Sequence, residues 1–198
     1  LKAMHRKHSA EQYRALVEKI RQTIPDIALS TDMIVGFPTE TDADFQKTLE
    51  LTTAAKYHSM FSFKYSERPN TLAKNKLQDI IPESVKSERL LELQLTQKRI
   101  QVSINQAQIG KVVEVLTDSR SRRRKSELSG RTSQNTVVNF SGKNHKIGEI
   151  LNIEIREAGP NSLSGDVIPS EPIASLQPIA ADNSNGNIVE QARRSHAG

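Results

Sequence analysis

Cysteine is absent from the 198 residues. Disulfides, thiolate zinc sites and thiolate-held iron–sulfur clusters are therefore excluded for this chain acting alone. Long apolar runs are missing too, since none approaches the roughly 18 to 20 residues needed to cross a bilayer. The opening residues do not read as a leader either, and the expectation is a cytoplasmic protein with no membrane contact. His5, His8, His58, His145 and His196 are scattered, with no HxH or HxxxH pair to bind zinc, so no metal site is expected. The signatures GxSxG, GxxxxGK[ST] and GxGxxG do not occur, which removes the commonest nucleophile and phosphate-loop chemistries. Aromatic residues make up 4% of the chain, and Phe140 is the only one between 106 and 169. Base reading by stacking is thereby disfavoured in that stretch, and tracking of a nucleic-acid backbone is favoured.

What is present divides into two patterns. Apolar residues supply 35% of the chain, enough for a core. Ser9 and Gln12 form a capping-box pattern ahead of Tyr13, Leu16, Val17 and Ile20, predicting a helix over about 10–23. Pro25 stops it, and "IALSTDMIV" (27–35) reads as a parallel strand buried on both faces. Thr41 and Asp44 repeat the cap signal for a second helix to about Ala55, and "SMFSFKYS" (59–66) reads as a second strand. A turn-rich loop follows, then Pro82 opens a long helix to about 105. From Val112 the period changes to two, and "VVEVLTD", "ELSGRTS", "TVVNF", "EILNIEIREAG" and "SLSGDVI" read as five short strands of a small OB-like barrel. The fold class is thus α/β followed by all-β. The expected divisions are 1–75 (α/β units), 76–105 (bridging helix), 106–169 (barrel) and 170–198 (a Ser, Asn, Ala and Pro-rich disordered tail). Two strands close no sheet, and the chain begins at Leu1, so a piece of a longer protein is expected.

Two stretches carry the functional argument. "DMIVGFPTETDADF" (32–45) passes from strand to helix through a glycine, where a ligand can approach the backbone and a helix N-terminus offers free N–H groups. On spacing alone the plainer reading is a tight strand-to-helix connection at Gly36-Phe37-Pro38, with Asp32 a satisfied polar residue. "RSRRRK" (120–125) places five cations in six residues between the first two barrel strands. Residues 106–169 hold ten basic and seven acidic groups, a balance of +3, against +5 for the whole chain, so the charge is concentrated in one loop. Loops of OB-type barrels hold nucleic acid with such cations, although a solvated charge run is the ordinary alternative.

"STDMIVGFPTETDADF", "FSFKYSERPNTLA", "ELSGRTSQNTVVNF" and "PNSLSGDV", in this order over residues 1–168, resemble the carboxyl half of the radical S-adenosylmethionine (SAM) methylthiotransferases. "GRTSQNTVVNF" points to the tRNA branch that acts on a prenylated adenosine. The resemblance implies a radical-SAM partial TIM-like barrel, whose last βα units would be residues 1–75, and a TRAM barrel that binds RNA. It implies SAM and two 4Fe–4S clusters as cofactors, with methylthio transfer to C2 of N6-dimethylallyladenosine beside the anticodon. The partner would be the anticodon stem-loop of tRNA, and the enzyme a monomer. All cluster cysteines are missing here, so the chain alone is expected to be inactive, to contain no catalytic residue of its own, and to lack the amino-terminal half of the same enzyme. Asp32, Ile34, Val35, Gly36 and Phe37 become the expected cofactor wall. Arg122, Arg123, Arg124, Lys125, Arg131 and Asn135 become the expected RNA contacts. Thr39 and Asn70 stand where the family usually has glycine, and a displaced turn is expected at Thr39 if that glycine has positive φ. The rival readings are a non-catalytic RNA-binding module, and a methylthiotransferase acting on threonylcarbamoyl-adenosine or a ribosomal protein.

Overall fold

A computed structural model of the chain describes residues 1, 3–69 and 71–169. The expected disordered tail at 170–198 and the Asn70 position lie outside the described residues. No helix among the described residues is long and apolar enough to cross a membrane.

Helix α1 spans Ala10–Thr23, and Ser9 caps it: its Oγ accepts from Gln12 N–H while Gln12 Oε1 accepts from Ser9 N–H. Strand β1 (Ser30–Val35), helix α2 (Asp42–Ala55) and strand β2 (Ser59–Lys64) form a parallel βαβ unit, in register from Ser30 opposite Ser59 to Val35 opposite Lys64. Helix α2 is capped by Thr41 and Asp44 in the same reciprocal way. Those bonds from the Thr41 hydroxyl and N–H hold the Asp44 carboxyl below its ordinary range.

One short helix was not expected. Thr71 accepts from Lys74 N–H and starts α3 (Leu72–Lys76) inside what reads as a loop. Helix α4 then runs Glu83–Gln106, 24 residues or about 36 Å at 1.5 Å each, with Pro82 as its N-cap residue rather than its first turn.

The two-stranded sheet has one covered face. Met33, Val35 and Met60 point toward α2 and α4, where Val35, Phe45 and Leu93 make a core with Leu49 and Leu90. A second cluster of Val17, Ala55 and Tyr57 joins α1 to it. The other face carries Ser30, Asp32 and Ile34 beside Phe61 and Phe63, which are 66% and 52% exposed. The expectation that β1 is buried on both faces is therefore wrong. Among the described residues helices cover only the α2/α4 side, and alternation along a strand leaves every second residue on the other. The strand is also shorter than the apolar run, because Ile27–Leu29 precede the ladder.

Strands β3 (Val112–Arg120), β4 (Glu127–Arg131), β5 (Val137–Ser141), β6 (Ile150–Ala158) and β7 (Leu163–Val167) close into a barrel in the order β3-β4-β5-β7-β6. Every pair is antiparallel except β5 with β7. Its interior is Val115, Leu128, Val138, Phe140, Ile153, Ile155 and Leu163, all buried. Gly165 of β7 lies against the Glu154 carbonyl of β6, leaving no room for a Cβ, so a side chain there would force the ladder apart.

Several hydrogen bonds tie the barrel to the elements before it. Asn105 at the end of α4 is buried and donates to Gly159 O at 2.8 Å. Gly110 N–H donates to Ile155 O at 2.8 Å. His58 Nε2 meets Thr136 Oγ1 at 2.9 Å, joining the start of β2 to the β4–β5 turn.

Candidate functional site

The β1–α2 turn is built around Gly36, which has φ +71. A Cβ at this position would lie 2.5 Å from Lys86 Cγ, so glycine is required both for the backbone angle and for α4 to pack over the turn. Gly36 N–H donates to Glu40 Oε1 at 3.0 Å, and the same oxygen accepts from Arg89 Nη1 at 2.8 Å. Arg89, itself buried, spends its other nitrogen on Asp42 Oδ1 at 2.7 Å. One guanidinium of α4 thus ties the turn to the first turn of α2. Lys86 is also buried: its ammonium pairs with Asp79 and sits 5.7 Å from the Tyr65 ring centroid. Tyr65 in turn meets Phe37 edge to face at 5.2 Å. Beside this cluster Tyr65 Oη and Asp79 Oδ1 are buried with no hydrogen-bond partner among the described residues. Thr39 takes φ +84, a left-handed backbone angle that is strained for a β-branched residue.

The five expected cofactor residues are divided by this geometry. Val35, Gly36 and Phe37 are buried under α4, with the Val35 carbonyl taken by Tyr65 N–H at 2.8 Å and the Gly36 N–H by Glu40. Asp32 and Ile34 lie on the exposed face, opposite Phe61 and Phe63 in register. Successive residues of a parallel strand direct their backbone groups to opposite sides, and Val35 faces β2. Ile34 accordingly turns its N–H and C=O to the open edge of β1. Ile34, Phe61 and Phe63 give this face of the sheet an apolar surface of the kind that suits a flat, partly apolar ligand such as the adenosyl group of SAM. An iron–sulfur cluster does not fit these residues. The chain has no thiolate, and no group of three His, Cys, Asp or Glu suited to a metal occurs among the described residues.

The six expected RNA residues are also divided. Arg122, Arg123, Arg124 and Lys125 are exposed on the β3–β4 loop (121–126), where Ser121 Oγ, buried and donating to Asn139 Oδ1 at 2.8 Å, accepts from Arg123 N–H and shapes the turn. Arg124 reaches Glu127 at 3.1 Å, and Arg122, Arg123 and Lys125 have no ion-pair partner among the described residues. Arg131 and Asn135 lie at the other end of β4, four steps or about 13 Å from Glu127. There Arg131 bonds to Asn135 Oδ1 at 3.0 Å and to Asp118 at 3.2 Å. Asn135 takes φ +62 in the β4–β5 turn, which holds Thr136 against His58 and lets Gln134 reach Asp26 O. This end of the barrel faces the α/β segment.

Sequence reasoning did not single out Glu40, Arg89 or Lys86. Glu40 lies four residues past Gly36 and was within reach of a turn argument, whereas Arg89 and Lys86 meet it only through the packing of α4. Lys143 and Lys146, exposed on the β5–β6 connection, were passed over because two lysines make no charge run.

Comparison with known proteins gives matches to two segments of the chain. Residues 1–52 match the Radical SAM superfamily and residues 106–168 match the TRAM domain. The tRNA-2-methylthio-N(6)-dimethylallyladenosine synthase of Alkaliphilus oremlandii is 46% identical over 168 residues, covering 85% of this chain and 36% of that protein. The chain is thus similar to radical SAM sequences in its first part and to TRAM sequences in its barrel, as parts of such synthases. The synthase of the same name from Novosphingobium aromaticivorans is 48% identical over 165 residues (83% of this chain, 37% of that protein). The one from Flavobacterium johnsoniae is 42% identical over 168 residues (85% and 35%). The chain thus spans about a third of the length of the curated relatives it matches. The Gly36 turn and its Glu40 and Asp42 anchors fall in the radical SAM segment, and both cationic barrel connections fall in the TRAM segment.

Proposed function

We propose that these residues serve a radical SAM methylthiotransferase that modifies C2 of N6-dimethylallyladenosine beside the anticodon of tRNA. The barrel grips the RNA, and the β1–β2 face forms one wall of the SAM site. The observation that carries the reading is the unbroken collinear match, at 42–48% identity, to synthases named for that product. Bound SAM supplies the radical chemistry and the methyl group, and the cysteines of the two 4Fe–4S clusters lie outside these residues. The chain's own contribution is positioning. Arg89 and Glu40 fix the turn beside the ligand, and Ile34, Phe61 and Phe63 offer it an apolar surface. The RNA-contacting residues are Arg122, Arg123, Arg124 and Lys125, with Arg131 and Asn135 as a secondary pair whose groups already bind one another. The enzyme works as a monomer on the anticodon stem-loop, in the cytoplasm.

The test is mass spectrometry of tRNA nucleosides from cells lacking the methylthiotransferase, complemented with a full-length gene carrying this sequence or with the 198 residues alone. The full-length gene restores 2-methylthio-N6-prenyl-adenosine and the 198 residues do not. Failure of both, with RNA binding intact, would leave a non-catalytic RNA-binding module. Restoration of a methylthiolated threonylcarbamoyl-adenosine or ribosomal protein instead would move the enzyme to another substrate.

A further inference from the structure

Two connections of the barrel meet at one end. Gly142 N–H donates to Ser126 O at 3.1 Å, tying the start of the β5–β6 connection (142–149) to the end of the β3–β4 loop. The connection then runs beside the outer half of β3. There Gly148 N–H donates to Thr117 O and Thr117 N–H donates to Glu149 O, both at 2.8 Å. Asn144 at φ +67 and Gly148 at φ +96 supply the two left-handed residues that bend it into place. Along this path Lys143 and Lys146 are exposed, and neither has an ion-pair partner among the described residues. The carboxylates along these segments are engaged, Glu127 by Arg124, Glu149 by the His145 ring and Asp118 by Arg131. Beyond Lys146 the surface turns aliphatic, with Ile147 exposed and Leu116 and Ile150 exposed as register partners on the outer face.

We propose that Lys143 and Lys146 join Arg122, Arg123 and Lys125 in one phosphate-binding surface spanning both connections. The RNA backbone runs from the β3–β4 loop along residues 142–149, and its riboses and base edges rest on Ile147, Ile150 and Leu116. Five unpaired cations on two hydrogen-bonded connections suit a polyanion whose phosphates recur at regular intervals. The lack of an aromatic on this surface means that the grip follows the backbone rather than the bases. This inference rests on the RNA-binding reading of the barrel and adds a second, independent segment to it.

The experiment is fluorescence anisotropy of labelled tRNA against the 198-residue chain over a range of potassium chloride concentrations. Lys143→Gln with Lys146→Gln is compared with Lys143→Arg with Lys146→Arg. Arg122→Gln with Arg123→Gln and Lys125→Gln is the second comparison. The control is Lys19→Gln with Lys47→Gln, two exposed lysines of α1 and α2. Each phosphate contact contributes roughly 0.7 to 0.9 to the log–log salt slope, so the Lys143/Lys146 glutamine pair lowers the slope by about 1.5 and the arginine pair keeps it. A glutamine pair indistinguishable from the Lys19/Lys47 control overturns the proposal. If only the arginine-loop variant then lowers the slope, RNA binding by the barrel stands without the second connection. If no barrel variant changes it, the RNA-binding reading falls as well.

Discussion

The barrel and the α/β segment spend their apolar residues differently. In the barrel each of the five strands has a partner on both sides and seven buried side chains fill the interior. Among the described residues the β1–β2 sheet has two free edges and one bare face, on which Phe61 and Phe63 are exposed. Closure converts alternation into a core with no exposed edge, whereas an open parallel pair keeps half of its alternation for something else. What the open segment does specify tightly is polar. Arg89, Glu40, Asp42 and Gly36 form one connected network, and removing any member leaves a partner unpaired.

The contrast breaks first at the cores. Phe140→Ala empties the barrel interior and is expected to cost about 3–5 kcal/mol, while Phe63→Ser on the bare face stays within about 0.5 kcal/mol. Chemical denaturation followed by circular dichroism measures both, and equal losses would mean that the bare face is covered in solution. Arg89→Ala comes next, at about 2–4 kcal/mol, because it strands the largely buried Glu40 carboxylate. Amide hydrogen exchange at Gly36 should rise in that variant while exchange at Val138 in the barrel does not. Uniform acceleration through both segments would mean that the network supports the whole chain rather than the turn. Thr39→Gly is expected to stabilise by about 1 kcal/mol, since glycine meets φ +84 without a Cβ clash. A loss instead would show that the threonine side chain makes a contact that outweighs its strain.

The smallest effect concerns the junction between the two regions. Burial lowers the pKa of His58 below its ordinary value near 6.5, so the folded state favours the neutral ring that meets Thr136. Its contribution is complete above the unfolded-state pKa and is lost as pH falls through the lowered folded-state value. The difference in stability between this chain and its His58→Gln variant should therefore narrow on acidification below about 6.5. Thermal melts at a series of pH values read it directly, and a constant difference would rule out titration of His58 as its source.

Much of this fold is legible in the sequence, for reasons that can be named residue by residue. The Ser9–Gln12 and Thr41–Asp44 boxes are local, so both helix starts fall where expected. The change of period after Gly110 marks the barrel because β3 alternates over its first half, although β4 and β5 each bury three residues in a row. The covered side of β1 was not legible, since an apolar run looks the same whether one face is buried or two. Helix α3 was hidden in a loop whose only signal is the Thr71 cap. At the sites, Gly36 and the 122–125 cations announce themselves, the first by residue type and the second by density. Arg89 and Lys86 do not, because they reach the turn across about fifty residues of chain and only after α4 has packed. Lys143 and Lys146 become neighbours of the arginine loop through a backbone bond between Gly142 and Ser126, which no local pattern encodes. Arg131 and Asn135 share a motif with the strand core, yet β4 carries them to the opposite end from the arginine loop.

The most direct measurement is a backbone-amide NMR titration of the 198-residue chain with an anticodon stem-loop RNA. Shifts centred on residues 121–126 and 142–149 and reaching Leu116 and Ile150, with smaller ones at Arg131 and Asn135 and none at Gly36 or Ile34, are the result this account predicts. Shifts centred on the β4–β5 turn around Asn135, with the two cationic connections silent, would contradict it.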